Sequence, residues 1–343
     1  MEITINEIAK KAGVSIATVS RALNGSKSVR DETRQKIILL AKDLNYKPNP
    51  FARGLSKKQT DTIGVILPEL VDEFFTEIIR GIDEEAYRTN RFIMLSSSHS
   101  HRNTIETLLE FMNGRRVDGL IIMAPQISED VTPIIRKSKR PVVMLNCPSD
   151  LDQIICFKID NYQGALKITE HLIEHGYKKI GMIKGPDGNF DAEERFSGFK
   201  DALQRHDIAI NTAMIVPGEF SIKSGYYGLL RLLSQNERPE AIFAANDMMA
   251  IGAYEAAKST NISIPHDLAI VGFDDIFPSR LLSPRLTTVH VPIVELGTKA
   301  MRYLLKMIAK EVDPRESHLE EVSTGIVIGG SCGCTNLTNQ SII

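Results

Sequence analysis

From Thr62 onward the chain alternates short apolar runs with amphipathic stretches, and this alternation restricts the fold more than any other feature. "TIGVILP" precedes "FTEIIRGIDEEAYRTN", "RFIMLSS" precedes "TIETLLEFMNGR", "VDGLIIMAP" precedes "VTPIIRKSK", and "PVVMLN" closes the series. A second series runs through "ICFKID", "GALKITEHLIEHG", "KKIGMIKG", "AEERFSGFKDALQRH", "SGYYGLLRLLSQ", "EAIFAAND", "MAIGAYEAAKST" and "LAIVGFDD". Strands alternating with helices imply parallel, doubly wound sheets, and two series imply two lobes. The expected fold is α/β: a small all-α head followed by a two-lobed doubly wound body. The first lobe is expected over about 61–160 and 289–320, the second over about 161–288 and 321–331. "TTVHV" and the helix after Pro292 are expected to return to the first lobe, and "EEVSTGIVIG" to the second.

The head, residues 1–47, differs in charge. Residues 1–60 hold 12 Lys and Arg against 5 Asp and Glu, a balance of +7, while the whole chain carries −2. A basic head on an acidic body suits a polyanionic partner, although a merely solvated basic face would look the same. Thr4 followed by Glu7 is a capping box that opens a helix at Ile5, and Gly13 stops it. Ser15 caps a second helix from Ile16 to about Leu23. "DETRQKIILLAKDLNY" spaces Ile37, Leu40, Ala41 and Leu44 as a third. Two short helices with a glycine turn and a longer brace predict a helix-turn-helix. The second helix offers Ser15, Thr18, Ser20, Arg21 and Asn24 outward, with Ile16 and Ala17 at its exposed start. Such apolar residues can touch thymine methyls in a major groove, and Arg21 can bind guanine O6 and N7.

At these residues "TINEIAKKAGVSIATVSRALNG" resembles the head of the LacI/GalR family of bacterial transcription regulators, and "NPFARGLSKK" resembles its hinge. The resemblance implies base selection by Ile16 and Ala17, and phosphate contacts from Ser15, Thr18, Ser20 and Asn24. It also implies that residues 48–60 form a hinge helix ordered on DNA, with Asn49, Ala52 and Leu55 at the minor groove. Leu55 would be the wedge in a central pyrimidine-purine step, CG by expectation. A two-turn helix containing Gly54 is marginal alone, which suits a switch. Arg30 departs from the family, where many members cap the third helix with serine.

The body, residues 61–343, is similar to the family's periplasmic-binding-protein-like domain, so the resemblance covers nearly the whole chain. Ligands of open α/β sheets bind beyond the strand C-termini. Candidates there are Phe74 and Phe75, Asn146, Arg195, Phe220, Asn246 and Asp274. The resemblance makes Arg195, Asn246 and Asp274 gripping polar positions, and Phe74, Phe75 and Phe220 aromatic walls. Arginine and carboxylate can pair with vicinal hydroxyls, and aromatic faces cover C–H faces, so a sugar or sugar derivative is the expected effector. Two plain structural roles stay open: Asp274 pairing with Arg195, and Phe75 in the core. Asn146 stands where many members have aspartate, and "VDEFF" replaces their usual Asn-Pro, which leaves the particular ligand undetermined.

Enzyme motifs are missing: "GPDGN" lacks the ending of a phosphate loop, and there is no GxSxG and no HExxH. No catalytic residue and no cofactor are expected. His171 and His175 stand four apart on a predicted helix, but without an evident acidic third ligand a solvated face is the simpler reading. Cys332 and Cys334 in "GGSCGCTN" could bind a metal or oxidise, but two thiols on a tail are more often simply free. Four cysteines make no disulfide framework in a chain of 343 residues, and a reducing cytoplasm is the default. No apolar run spans a bilayer and no secretory signal is visible, which argues against the other reading, a transporter's solute-binding protein. The expected protein is a cytoplasmic repressor, nucleoid-associated when bound to a pseudo-palindromic operator in double-stranded DNA. A homodimer is expected, because one recognition helix reads too few base pairs and no C-terminal heptad is present for a tetramer. A purine or a phosphocarrier protein remains an alternative effector.

Overall fold

The computed structural model describes residues 3–23, 26, 28–44, 46, 60–68, 70, 72–97, 107, 110–111, 116–123, 131–148, 154–313 and 317–334, with only the backbone of 131 and 132. Asn24 and the hinge residues Asn49, Ala52 and Leu55 lie outside the described residues. The chain divides into two compact units, Met1–Thr60 and Asp61–Ile343.

The first unit contains α1 (Ile5–Ala12), α2 (Ile16–Leu23) and α3 (Asp31–Asp43). Glu7 opens α1 by reaching back to the Thr4 N–H at 2.8 Å. Gly13, at φ 71°, closes it in the left-handed region, where glycine carries no Cβ penalty. Ile8, Val19 and Ile37 meet in a core from which all three are fully excluded from solvent. Arg30 precedes α3 without a side-chain cap; Asp31 and Glu32 in the first turn place negative charge at the helix's positive end instead.

In the second unit, β1 (Thr62–Leu67), α4 (Glu73–Arg88), β2 (Phe92–Ser97), β3 (Gly119–Met123), α5 (Val131–Arg136), β4 (Val142–Leu145) and β5 (Ile155–Ile159) build the first lobe. The second begins with α6 (Asn161–Glu174), β6 (Ile180–Ile183), α7 (Phe190–Arg205), β7 (Ile215–Val216), α8 (Ile222–Leu233), β8 (Ala241–Ala244), α9 (Asp247–Ser259), β9 (Ala269–Asp274) and β10 (Thr287–His290). Then follow α10 (Ile293–Ala309), β11 (His318–Val322) and β12 (Gly325–Val327). The first sheet has the order β11-β5-β4-β3-β1-β2 and the second β12-β10-β9-β8-β6-β7. Every pairing is parallel except β10 with β12. The central strands are apolar along their whole length because helices cover both faces.

Sheet membership corrects the expected lobe assignments. "TTVHV" does not return to the first lobe: β10 pairs with β9 through Thr287–Val271 to His290–Asp274. "EEVSTGIVIG" is divided, since β11 lies beside β5 in the first sheet and only β12 joins the second. The chain therefore passes between sheets after β5, after β10 and after β11. The first and third of these crossings are tied together, with the Asp160 N–H donating to the Val322 carbonyl at 3.1 Å. Cys147, after β4, and Cys156, on β5, bring their sulfurs together as one pair, which makes no disulfide framework. Among the described residues no helix is long and apolar enough to cross a membrane.

Candidate DNA and effector sites

On α2, Ser15, Ile16, Ala17 and Arg21 are exposed, and Thr18 and Ser20 are half-buried. Ile16 leaves half of its surface in solvent. An exposed isoleucine at a helix start is common on protein surfaces, and here it also suits contact with thymine methyls. Ser15 Oγ accepts the Thr18 N–H at 3.2 Å, which sets the start of the helix. Arg21 Nε donates to the Ala17 carbonyl at 3.1 Å, holding the stem of the arginine along the helix. Val19 and Ala22 face the core, so the described part of the expected stripe, Ser15 to Arg21, lies outward, while Asn24 is outside the described residues.

In the second unit a buried polar network surrounds Arg195, which is 3% exposed. Its Nε donates to Asn161 Oδ1 at 2.8 Å and its Nη1 to the Ala245 carbonyl at 2.6 Å. Nη2 lies 3.1 Å from Asp274 Oδ1 as an ion pair. The guanidinium also stacks on Phe273, 3.8 Å from the ring centre, with Phe220 at 5.7 Å. Asp191, one turn before Arg195 on α7, accepts from Asn161 Nδ2 at 2.8 Å and from Asn146 Nδ2 at 3.1 Å. Asn146 follows β4 and Asp191 opens α7, so this last bond joins the two lobes. Asn161 stands on the first crossing, and the Asp274 carbonyl accepts from Val291 N–H on the second at 3.4 Å. The network thus sits beside two of the chain's crossings between the lobes. Asp274 Oδ1 is buried and accepts no hydrogen bond from any described residue, because the arginine approaches it outside hydrogen-bond geometry. The ion pair compensates most of the charge, and a donating ligand can add the well-aligned hydrogen bond that the arginine does not make.

The other candidates divide by environment. Phe74 is buried, packed in the core with Ile63 and Ile78. Phe75 is half-buried and meets Phe74 edge-on at 5.5 Å. Asn146 is fully buried, its Oδ1 accepting from the Ile159 N–H at 3.1 Å. Asn246 caps α9: Oδ1 accepts from Met249 N–H at 3.0 Å, and Nδ2 donates to the Phe220 carbonyl at 3.2 Å. Phe220 is half-buried at φ 53°. Arg195, Asp274, Asn146 and Asn246 therefore all have protein partners. Asn161 and Asp191 belong to the same network and went unread in the sequence. The available sign was spacing, since Asp191 and Arg195 fall on one face of a helix. Asp72 also enters: it caps α4 through the Phe75 N–H, and its charge acts on Asp274.

Burial raises the carboxyls here. Desolvation pushes Asp191 up to about 6 against the opposing Arg195 and the two asparagine amides. It pushes Asp247 up to about 7, opposed by the Thr288 hydroxyl and others, and Asp274 well above the usual range, opposed by Arg195. A carboxyl with a raised folded pKa holds its proton more tightly folded than unfolded, so stability grows as pH falls through that value. His171 acts oppositely: burial and then His175 push it down to about 4, so it removes stability below its ordinary value of about 6.5. Between pH 8 and 6.5 the carboxyls outweigh His171, whose unfolded form is half protonated only at the lower limit, and about 1–3 kcal/mol of added stability is expected. Urea unfolding at the two pH values measures it, and Asp247→Asn should flatten the slope. Equal or lower stability at pH 6.5 contradicts the assignment.

No His, Cys or carboxylate group of metal-ligating shape lies in this network; among the described residues the one such group is His171, His175, Cys332 and Cys334. An open groove of about 860 Å³ lies elsewhere, between α4, α10 and the turn after β9. Its walls mix Glu77, Glu84 and Asp275 with Arg80, Lys299 and Arg302, and none of the predicted effector residues lines it.

The sequence matches the profile of bacterial regulatory proteins of the lacI family over residues 4–49, and that of the periplasmic binding protein-like domain over residues 169–332. Catabolite control protein A of Priestia megaterium is 36% identical over 91% of this chain and 94% of its own. The HTH-type transcriptional repressor PurR of Haemophilus influenzae is 35% identical over 89% of this chain and 91% of its own. Among solved structures, the Lac repressor dimer bound to operator and the anti-inducer ONPF aligns with a TM-score of 0.86 at 27% identity, over 97% of this chain and 99% of that one. The complex of the transcriptional regulator CelR with cellobiose aligns at 0.73 and 26% identity, over 96% and 100%. With a helix-turn-helix of exposed apolar start, a two-sheet body with a buried arginine beside its crossings, and relatives of this identity matched along nine-tenths of their length, the chain belongs to the lacI family of bacterial regulatory proteins.

Proposed function

We propose that the protein is a cytoplasmic, dimeric transcriptional repressor whose operator affinity is set by a small ligand held at the Arg195–Asp274 network. The observation that carries the effector part is Asp274 Oδ1, buried between the lobes, ion-paired with Arg195 Nη2 at 3.1 Å but without a hydrogen bond of good geometry. A sugar hydroxyl beside the face of Phe220 can supply a well-aligned donor. A ligand joining both lobes has differential affinity for their relative arrangements, which is the requirement for a switch. The relation to CelR, solved with cellobiose, supports a carbohydrate. Calorimetric titration of the full chain with sugars, sugar phosphates and purines tests the class. Binding that survives Asp274→Ala unchanged removes this site from consideration. Two half-sites read by two copies of α2 require a dimer, and light scattering returning one or four chain masses contradicts it.

The DNA side gives a graded expectation. Arg21→Ala is expected to weaken specific operator binding by about 1–3 kcal/mol, the worth of a bidentate guanine contact, while binding to unrelated DNA falls far less. Leu55→Ala is expected to act likewise through loss of a minor-groove wedge, at a kinkable central step. Fluorescence anisotropy on a selected operator and on scrambled DNA separates the two. Equal losses on both would leave Arg21 and Leu55 as contributors to general affinity only.

The groove along α4 and α10 favours a second reading, control by a phosphocarrier protein partner. Arg80, Arg88, Lys299 and Arg302 on its walls can meet a phosphate, and catabolite control protein A is among the relatives. Charge reversal at Arg302, Arg302→Glu, distinguishes the readings. It should leave sugar binding untouched and abolish any partner-dependent gain in operator affinity.

A further inference from the structure

The C-terminal segment returns to the end of α6 and brings two pairs of soft donors together. His171 and His175 lie one turn apart at the end of α6. Cys332 and Cys334 follow β12, separated by Gly333 at φ 95°. That left-handed residue turns the chain so that both sulfurs face the helix, and a Cβ there would press against the Tyr177 hydroxyl at 3.0 Å. Nε2 of His171 is 3.3 Å from Cys332 Sγ and 3.8 Å from Cys334 Sγ, and Nε2 of His175 is 3.0 Å from Cys334 Sγ. All four donor atoms lie within 4.8 Å of one another. We propose that His171, His175, Cys332 and Cys334 form a four-coordinate site for a soft divalent cation, zinc by preference.

The geometry fits. Zinc holds sulfur at about 2.3 Å and imidazole nitrogen at about 2.0–2.1 Å, so the edges of its tetrahedron run about 3.3–3.8 Å. The three donor distances above stand close to those edges without a cation present. Tetrahedral N2S2 is the donor set of zinc rather than of magnesium or calcium, which take oxygen. The supporting contacts also match. His175 Nδ1 lies 2.9 Å from the His171 carbonyl, so its N–H is directed there and Nε2 keeps the lone pair that a metal needs. The Thr287 hydroxyl reaches Cys332 Sγ at 3.1 Å, and Tyr177 donates to the Cys332 carbonyl at 3.2 Å, fixing the cysteine from both ends.

Coordination releases two thiol protons to solvent, and two thiolates with two neutral imidazoles around a divalent cation give a unit of zero net charge. That suits a site where Cys332 is fully buried and His175 exposed. Four protein donors leave no open position, which marks a structural site and not a catalytic one. The cation would join residues 161 apart in sequence, closing the second lobe from α6 to its last strand. Clips across long loops restrict the unfolded chain most.

The test uses the full chain, stripped of metal and kept under a phosphine reductant, titrated with Co(II). The expected result is one Co(II) per chain with the visible bands of a tetrahedral ion and near-ultraviolet thiolate-to-cobalt charge transfer, both bleached by Zn(II). His175→Gln and Cys334→Ser sit at the more open side of the site and should fold; circular dichroism checks that. Each should weaken Co(II) binding by about 100-fold or more, beyond the 10–100-fold typical of losing a supporting contact. Zn(II) should raise the Tm of the parent and not of either variant. A parent chain that shows only the faint bands of octahedral cobalt overturns the proposal. So does a folded variant that retains the full charge-transfer band.

Discussion

Arg195→Ala is expected to abolish the ligand-dependent shift in operator affinity and to cost about 3–5 kcal/mol of stability. Each guanidinium nitrogen engages a different partner: Nε holds Asn161, Nη1 holds the Ala245 carbonyl, and Nη2 neutralises Asp274. Alanine removes the cation that faces Asp274, leaves that carboxyl buried beside Asp72 and Asp191, and empties the face of Phe273. Asp274 then takes up a proton, which limits the electrostatic loss but not the loss of stacking and hydrogen bonds. Arg195→Lys retains charge without the planar fork, so it should recover part of the stability and little of the response. The two readouts divide the possibilities. Urea unfolding of the free protein reports the structural part, and operator binding with and without effector reports the functional part. Stability lost while the ligand response persists would make Arg195 a structural group near a site located elsewhere. Ligand-independent DNA binding by α2 should remain, because the head is a separate compact unit.

What the sequence made visible was whatever depends on neighbours along the chain. The capping box at Thr4, the stop at Gly13 and the outward stripe of α2 are set within one turn, and the structure shows each. Strand-helix alternation likewise foretold two parallel sheets. The errors arose where an element's partner lies far away in sequence. β10 reads equally well as a strand of either sheet, since its four residues carry no mark of the neighbour they will pair with. The crossing after β10, rather than before it, becomes visible only in the pairing with β9.

The site follows the same rule. Arg195 and Asp274 could be named from their places after a strand and within a helix start, but Asn161 and Asp191 could not be joined to them without the fold. The two donor pairs of the metal site show the limit most plainly. His171 with His175, and Cys332 with Cys334, each look ordinary alone: a helix face and two thiols. Only the path of the last strand, which returns the chain to α6, puts the four atoms within 4.8 Å.

A valine at Gly252 is expected to cost about 4 kcal/mol or more, placing it among the few substitutions severe enough to threaten folding. The reason is a crossing of α8 and α9 built on two glycines. A Cβ at Gly252 would enter the Ile222 carbonyl and stand 2.7 Å from Tyr226 N; a Cβ at Gly225 would enter the Met249 carbonyl. Both obstacles are backbone, which cannot turn aside as a side chain can, so the helices must separate. Gly252→Ala is the sharper test, because two effects oppose. Alanine favours a helix interior by about 1 kcal/mol over glycine, whereas overpacking against a rigid partner costs about 3 kcal/mol or somewhat more. The steric cost should win, leaving a net loss of about 2 kcal/mol, read as a lower urea midpoint at unchanged m-value. An alanine variant as stable as the parent would show that the helices part freely. The crossing also bears on the switch. Asn246, which caps α9, donates to the carbonyl of Phe220, the residue before the Ser221 cap of α8. Helices pushed apart must stretch or break that bond, moving Phe220 away from Arg195. Gly252→Ala should therefore weaken effector binding even in the fully folded protein at low temperature, although Gly252 lies outside the Arg195–Asp274 network.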